Sequence, residues 1–183
     1  MILVTGGAGY IGSHTCQMLA SMGHTPIVFD NFSNGHKYAV KYGPYIEGDL
    51  NDSASIVGGF RKYNFDAVIH FASFIEVGES VKDPEKYYIN NIGGALNLLH
   101  AMLEADVKTI VFSSTCAVYG TPESIPIKET TPTHPLSPYG QSKLAIERIL
   151  KDYGNAYDFN YILCRYFNAC VDELRLDCCC EVG

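Results

Sequence analysis

Apolar residues along the chain follow two rhythms. Short β-branched or aromatic runs at 2–5, 25–29, 45–47, 67–71, 109–113 and 161–164 read as strands. Between them, residues 10–22, 54–63, 84–105 and 138–153 carry apolar positions at helical spacing. Alternation of this kind predicts βαβ units and an α/β fold with a doubly wound parallel sheet. Helix starts are marked by Asp52 or Ser53, and by Ser137-Pro138, where serine caps and proline takes the first helical position. Residues 120–137 contain Pro122, Pro126, Pro132 and Pro135, so they form a loop across the carboxyl ends of the strands, where open α/β sheets place ligand sites.

Composition narrows the function classes. With 183 residues, 47% apolar and 18% charged, the chain suits one folded domain and excludes a disordered, collagenous or coiled-coil protein. No apolar run approaches the ~20 residues of a membrane span, so no membrane partner and a cytoplasmic location are expected. Thirteen Lys+Arg against 20 Asp+Glu give a net charge of −7 with no basic stripe, which argues against nucleic acid as a partner. Cys16, Cys116 and Cys164 are scattered, whereas Cys170, Cys178, Cys179 and Cys180 crowd the end without metal-site spacing, so no metal is expected.

Candidate chemistry begins directly after the first strand. Gly6, Gly9 and Gly12 sit in Thr5-Gly6-Gly7-Ala8-Gly9-Tyr10-Ile11-Gly12 at the opening of a helix. Glycines so placed allow a tight turn, close approach of backbone N–H groups to a pyrophosphate and close helix–strand packing. Asp30 ends the second strand, where a carboxylate accepts hydrogen bonds from ribose hydroxyls and repels a 2′-phosphate, which favours NAD over NADP. Asp30 could instead be a turn-forming residue ahead of Asn31 and Gly35. Asp49, followed by Leu50, could approach the adenine or simply cap the next helix.

A second constellation lies further on. Tyr139 and Lys143 are four residues apart on one helix face. A phenol titrates near ~10, so a nearby positive charge is needed for it to act as a base at neutral pH. Ser113-Ser114-Thr115, at the end of the fifth strand, offers hydroxyls for a substrate oxygen. Alone the Tyr/Lys pair could be an ordinary solvated helix face, but its company favours chemistry.

The segments TGGAGYIGSH, FSSTCAVYG, SPYGQSK and RYFN, in this order and spacing, resemble the extended short-chain dehydrogenase/reductase superfamily, most closely its UDP-glucose 4-epimerase group. HFASFIEVGESV and YYINN are similar to the epimerase subgroup in particular. The likeness covers 1–169, and implies an NAD-binding Rossmann domain there, with 170–183 an atypical cysteine-rich tail. It implies a bound NAD that takes and returns hydride, with UDP-glucose and UDP-galactose interconverted through a transient 4-keto sugar. Tyr139 would take the proton of the sugar 4-hydroxyl, Thr115 would hydrogen-bond the same oxygen, and Lys143 would lower the phenol's pKa and hold the nicotinamide ribose. Further cofactor contacts implied by the resemblance are Tyr10 and Ile11, then Asp30, Asn31, Phe32, Ser33, Asn34 and Gly35, with Asp49 and Leu50. Phe71, Ala72, Ser73, Phe74 and Ile75 follow, with Asn90 and Phe167, while Asn168 matches the asparagine that binds the UDP portion.

Departures from the pattern are few. Thr115 stands where many epimerases have serine, and Ile75 where some have a lysine that contacts cofactor phosphate. After Ala169 the pattern stops, so most of the smaller C-terminal substrate domain is expected to be missing, through truncation, a frameshift or an alternative end. Among rivals, a 4,6-dehydratase would carry acids after the threonine, whereas Cys116-Ala117 follow here. A UDP-glucuronate epimerase or decarboxylase, or a non-catalytic NAD-binding module, stays open. The resemblance also implies a homodimer built on residues 84–105 and 138–153.

Overall fold

Strand formation follows the apolar runs, and a computed structural model describes residues 1–170. The strands are β1 (Ile2–Thr5), β2 (Pro26–Asp30), β3 (Tyr45–Glu47), β4 (Ala67–His70), β5 (Thr109–Thr115) and β6 (Asn160–Tyr166). Helices are α1 (Tyr10–Ser21), α2 (Ser53–Lys62), α3 (Val77–Lys82), α4 (Pro84–Tyr87), α5 (Gly94–Glu104) and α6 (Pro138–Tyr157). All six strands run parallel in the order β3-β2-β1-β4-β5-β6. The chain thus winds outward from β1 in both directions, as expected, and the reversal between β1 and β4 opens a crevice at the strands' carboxyl ends. Of the expected tail, only Cys170 lies among the described residues.

Alternate residues of the buried strands feed two cores. Leu3, Phe29, Val68 and Phe112 join Ile56 of α2, Leu98 and Met102 of α5, and Ile146 and Leu150 of α6. On the other face, Val4 and Val28 pack with Ala8 and with Cys16 of α1. Helix entries are capped as expected: Asp52 accepts from the Ala54 N–H, and Ser137 from the Gly140 N–H ahead of Pro138.

Three features differ from the sequence reading. The single helix expected over 84–105 is composite, because a π-helical stretch at Tyr88–Gly93 separates α4 from α5. Asn90, Asn91, Gly93 and Gly94 are weak helix formers, and the Asn91 side chain is engaged by Phe74 and Ser142. Helix α3, six residues long, has no clear apolar period to announce it. The strands that matter most are also longer than expected: β5 and β6 pair over seven residues, from Thr109↔Asn160 to Thr115↔Tyr166, past the last β4–β5 pair at His70↔Phe112. That extension carries Ser113, Ser114 and Thr115 over the crevice.

Candidate active site

At the crevice floor the chain leaves β1 through Gly6, whose φ of +70° is left-handed and whose added Cβ would lie 2.7 Å from the Ala72 nitrogen. A Cβ on Gly12 would lie 2.3 Å from the Gly6 carbonyl oxygen. Only glycine lets α1 and the loop after β4 approach the turn this closely. Gly9 caps α1 without any side-chain hydrogen bond, and Gly9, Tyr10, Ile11 and Gly12 line the crevice at the positive end of the helix dipole.

Asp30 is buried and accepts the Ala8 N–H (3.0 Å) and the Phe32 N–H (2.8 Å). It therefore pins the glycine turn to the end of β2 and forms a local turn, while a carboxylate's roughly four acceptor positions leave room for a ligand hydroxyl. Gly35 closes the loop, since a Cβ there would meet the Ala8 Cβ at 2.8 Å. Asn31 links this loop to Asp49 (2.9 Å). Burial alone would raise the Asp49 carboxyl, but hydrogen bonds from Asn51 and Asn31 outweigh it and hold the group below its ordinary value. Asp49 does not cap the next helix, because Asp52 does.

The loop after β4 is fixed by Asn91. Its Oδ1 accepts the Phe74 N–H (2.9 Å), and its Nδ2 donates to the Phe74 carbonyl (3.1 Å) and to Ser142 Oγ (3.1 Å). Neighbouring Asn90 donates to Asn91 (3.0 Å) and accepts from Asn51 (3.3 Å). The π turn thus holds the 71–75 segment against α6.

Lys143, only 2% exposed, donates to Ser73 Oγ (2.9 Å) and to the Ser113 carbonyl (2.8 Å), and lies 4.9 Å from the Phe112 ring centre. Burial pushes its ammonium down to about 7. His70, hydrogen-bonded to Thr5 Oγ1 (2.7 Å), is pushed down to about 3, first by burial and then by Lys143, so it is neutral. Tyr139 is buried one helical turn before Lys143. Burial raises its phenol; a hydrogen bond with the Thr115 hydroxyl draws it down, and Cys116 pushes it up. A hydroxyl, a phenol and an amine line one desolvated corner of the same crevice, an arrangement able to move a proton to or from a substrate oxygen.

Glycine turn, acidic loop and this corner share one cavity of about 1210 Å³. Every site residue named from sequence lines it except Phe32, whose φ of 57° turns its ring edge-on to Tyr45 at 5.5 Å, leaving its backbone N–H on Asp30. Sequence reasoning missed other wall residues, including Glu76, Glu79, Lys86, Tyr87 and Tyr166. Lys86 pairs with Glu79 (2.6 Å), which also accepts from Tyr87 (2.8 Å). It also missed Glu147, buried behind Ser114 and paired with Arg165 (2.6 Å). Its signal was present, since Glu147 repeats the four-residue step from Tyr139 to Lys143.

Known proteins place this geometry. A UDP-glucose 4-epimerase of Rhizobium leguminosarum bv. trifolii is 51% identical over 168 residues, which are 92% of this chain and 51% of that protein. One from Halalkalibacterium halodurans is 51% identical over 92% of this chain and 50% of its own length. The crystal structure of UDP-glucose 4-epimerase from Brucella ovis in complex with NAD superposes with a TM-score of 0.90 at 50% identity, covering 91% of this chain and 51% of that one. The Bifidobacterium longum UDP-glucose 4-epimerase in complex with NAD+ and UDP gives 0.87 at 43% identity, over 91% and 53% of the two chains. This chain spans about half the length of the curated relatives it matches. Its residues 2–172 match the NAD dependent epimerase/dehydratase family, and the chain belongs to that family.

Proposed function

We propose that this chain carries the NAD-binding and proton-transferring half of a UDP-glucose 4-epimerase. The observation that carries the reading is the convergence of Thr115, Tyr139 and Lys143 on the cavity floored by the glycine turn. Those residues fit NAD: the turn is too close-packed for any Cβ at Gly6 or Gly12, and buried Asp30 sits beside it. Gly9, Tyr10 and Ile11 would hold the pyrophosphate, the loop from Asp30 to Gly35 the adenosine ribose, and Asp49 and Leu50 the adenine. Phe71, Ala72, Ser73, Phe74, Ile75, Asn90 and Phe167 would enclose the rest, with Lys143 on the nicotinamide ribose. When bound, NAD supplies a reversible acceptor for the hydride at sugar C4.

The chain's own part is proton handling. Tyr139 removes the proton from the sugar 4-hydroxyl, Thr115 hydrogen-bonds that oxygen, and the Lys143 charge, held in the protonated fraction of a group that titrates near 7, favours the phenolate. The proton returns by the same route once the 4-keto sugar has presented its other face. Asn168, on the cavity wall, would bind the UDP portion. Cys116 and Ala117 directly after Thr115 offer no acid for eliminating water, which favours epimerisation over dehydration.

Residues 1–169 would form the cofactor domain and 170–183 a distinct tail. The protein would work in the cytoplasm, in galactose metabolism, as a homodimer formed through residues 84–105 and 138–153; a monomeric mass by light scattering would contradict the dimer. Among the described residues, no helix is long and apolar enough to cross a membrane. The test is to incubate the chain with NAD and UDP-glucose and assay UDP-galactose by chromatography. Interconversion that falls about 10²–10⁴-fold in Tyr139→Phe supports the reading. NAD binding without turnover would leave a non-catalytic NAD-binding module.

A further inference from the structure

Behind the catalytic corner lies a second buried constellation that the proton transfer does not use. Glu147, 4% exposed, stands on α6 four residues beyond Lys143 and eight beyond Tyr139. Its Oε1 accepts from the Ser114 hydroxyl and from Arg165 Nε (2.9 Å), and its Oε2 from Arg165 Nη2 (2.6 Å). Arg165 continues through Nη1 to the Tyr119 hydroxyl (2.9 Å) and the Glu129 carbonyl (3.3 Å), with its guanidinium 4.9 Å from the Tyr119 ring centre.

The placement of these partners is informative. Ser114 and Arg165 are register partners across the β5–β6 ladder, and the next pair is Thr115↔Tyr166. Glu147 therefore grips both strands one residue before the hydroxyl assigned to the sugar oxygen and before the Tyr166–Asn168 wall. One turn earlier on the same helix, Lys143 holds the Ser113 carbonyl. Apolar side chains could dock α6 on the sheet at no less stability than a buried ion pair. A bidentate pair adds directional register, because both carboxylate oxygens are committed to named partners.

We infer that Glu147 is a positioning residue for the reaction: through Ser114 and Arg165 it indexes Thr115 and the substrate wall to the helix that bears Tyr139 and Lys143. The inference rests on the epimerase reading, which gives Thr115 and Asn168 their substrate roles. Loss of the grip lets the β5 end drift from α6, and the hydrogen bond between Thr115 and the Tyr139 phenol weakens.

The test follows the Tyr139 phenol by NMR in the full chain with carbon-13 at tyrosine Cζ, the resonance being assigned by its disappearance in Tyr139→Phe. The expected result is a Tyr139 titration midpoint about half a pH unit or more higher in Glu147→Ala, because the phenolate loses a hydrogen bond. Smaller upward shifts are expected in Ser114→Ala and Glu147→Gln, which keep most of the packing and cover the case in which Glu147→Ala does not fold. An unchanged midpoint in Ser114→Ala and Glu147→Gln, even with a lowered melting temperature, would overturn the proposal and make Glu147 purely structural. NAD titrated into the wild-type chain separates the two ideas: failure to bind would sink the epimerase reading, while the ligand-free midpoints still judge the grip.

Discussion

The two ends of the cavity are built from different materials. On the β1–β3 side, backbone dominates: a glycine turn, helix N–H groups, and a buried carboxylate that accepts two backbone amides. On the β5–β6 side, buried charged side chains dominate, with Lys143 tied to Ser73 across 70 residues and Glu147 to Ser114 across 33. A ligand's phosphates and ribose can be held by fixed dipoles, which need no titration. Proton transfer needs groups whose ionisation the fold adjusts. Under the proposed function, the difference between the two ends is a difference between binding and chemistry, and perturbing each end should produce different symptoms.

The largest effect is expected from the buried bases of the chemical end. Lys143 titrates near 7 in the fold against an ordinary 10.5, and His70 near 3 against 6.5. In both windows the unfolded chain binds the proton that the folded chain rejects, so the His70 contribution to stability rises with pH from about 3 to 6.5 and the Lys143 contribution from about 7 to 10.5, the latter opposed above about 9 by the buried Cys16 thiol, which burial pushes up to about 12. Denaturant titrations across pH should show Lys143→Met flattening the upper window and His70→Gln the lower. Slopes undiminished in both variants, beyond what lowered carboxylates such as Asp49 add to the acid window, would remove these groups from the account.

At the binding end the expected symptoms are steric. Gly12→Ala places a Cβ 2.3 Å from the Gly6 oxygen and should cost about 1–3 kcal/mol in a thermal or chemical melt. Asp30→Ala orphans the Ala8 and Phe32 N–H groups, at about 1–3 kcal/mol between them. Asp30→Asn, which keeps one acceptor oxygen, should cost less. The smallest effect belongs to Asp52→Ala, which removes the α2 cap through a side chain that does not line the cavity, at about 1 kcal/mol with NAD affinity unchanged. A change in NAD affinity in that variant would show that the cavity senses stability at large.

The same contrast explains what the sequence disclosed. Glycine spacing, the acid at the strand end and the proline-capped helix are local patterns, and they led to Gly6, Asp30, Tyr139 and Lys143. The Asn91 brace and the Ser114–Glu147–Arg165 cluster join separate segments of the chain; the four-residue step puts Glu147 on the face of Tyr139 and Lys143, but periodicity does not reveal which partners it meets. Phe32 shows the reverse case: it lies within a segment that lines the cavity, yet its left-handed backbone turns the ring outward to Tyr45. Asp30 could not be resolved into ribose ligand or turn-former from sequence, because one carboxylate has enough acceptor positions to serve as both.

The central claim is that the described residues form an NAD site with its proton-transferring pair already in place. Calorimetric titration of NAD into the chain, beside Gly12→Ala, tests it most directly. The account predicts saturable binding of one NAD per chain, weakened tenfold or more, about 1.4 kcal/mol, by the added methyl group. No saturable binding by a folded wild-type chain, or equal binding by the Gly12→Ala variant, would contradict it.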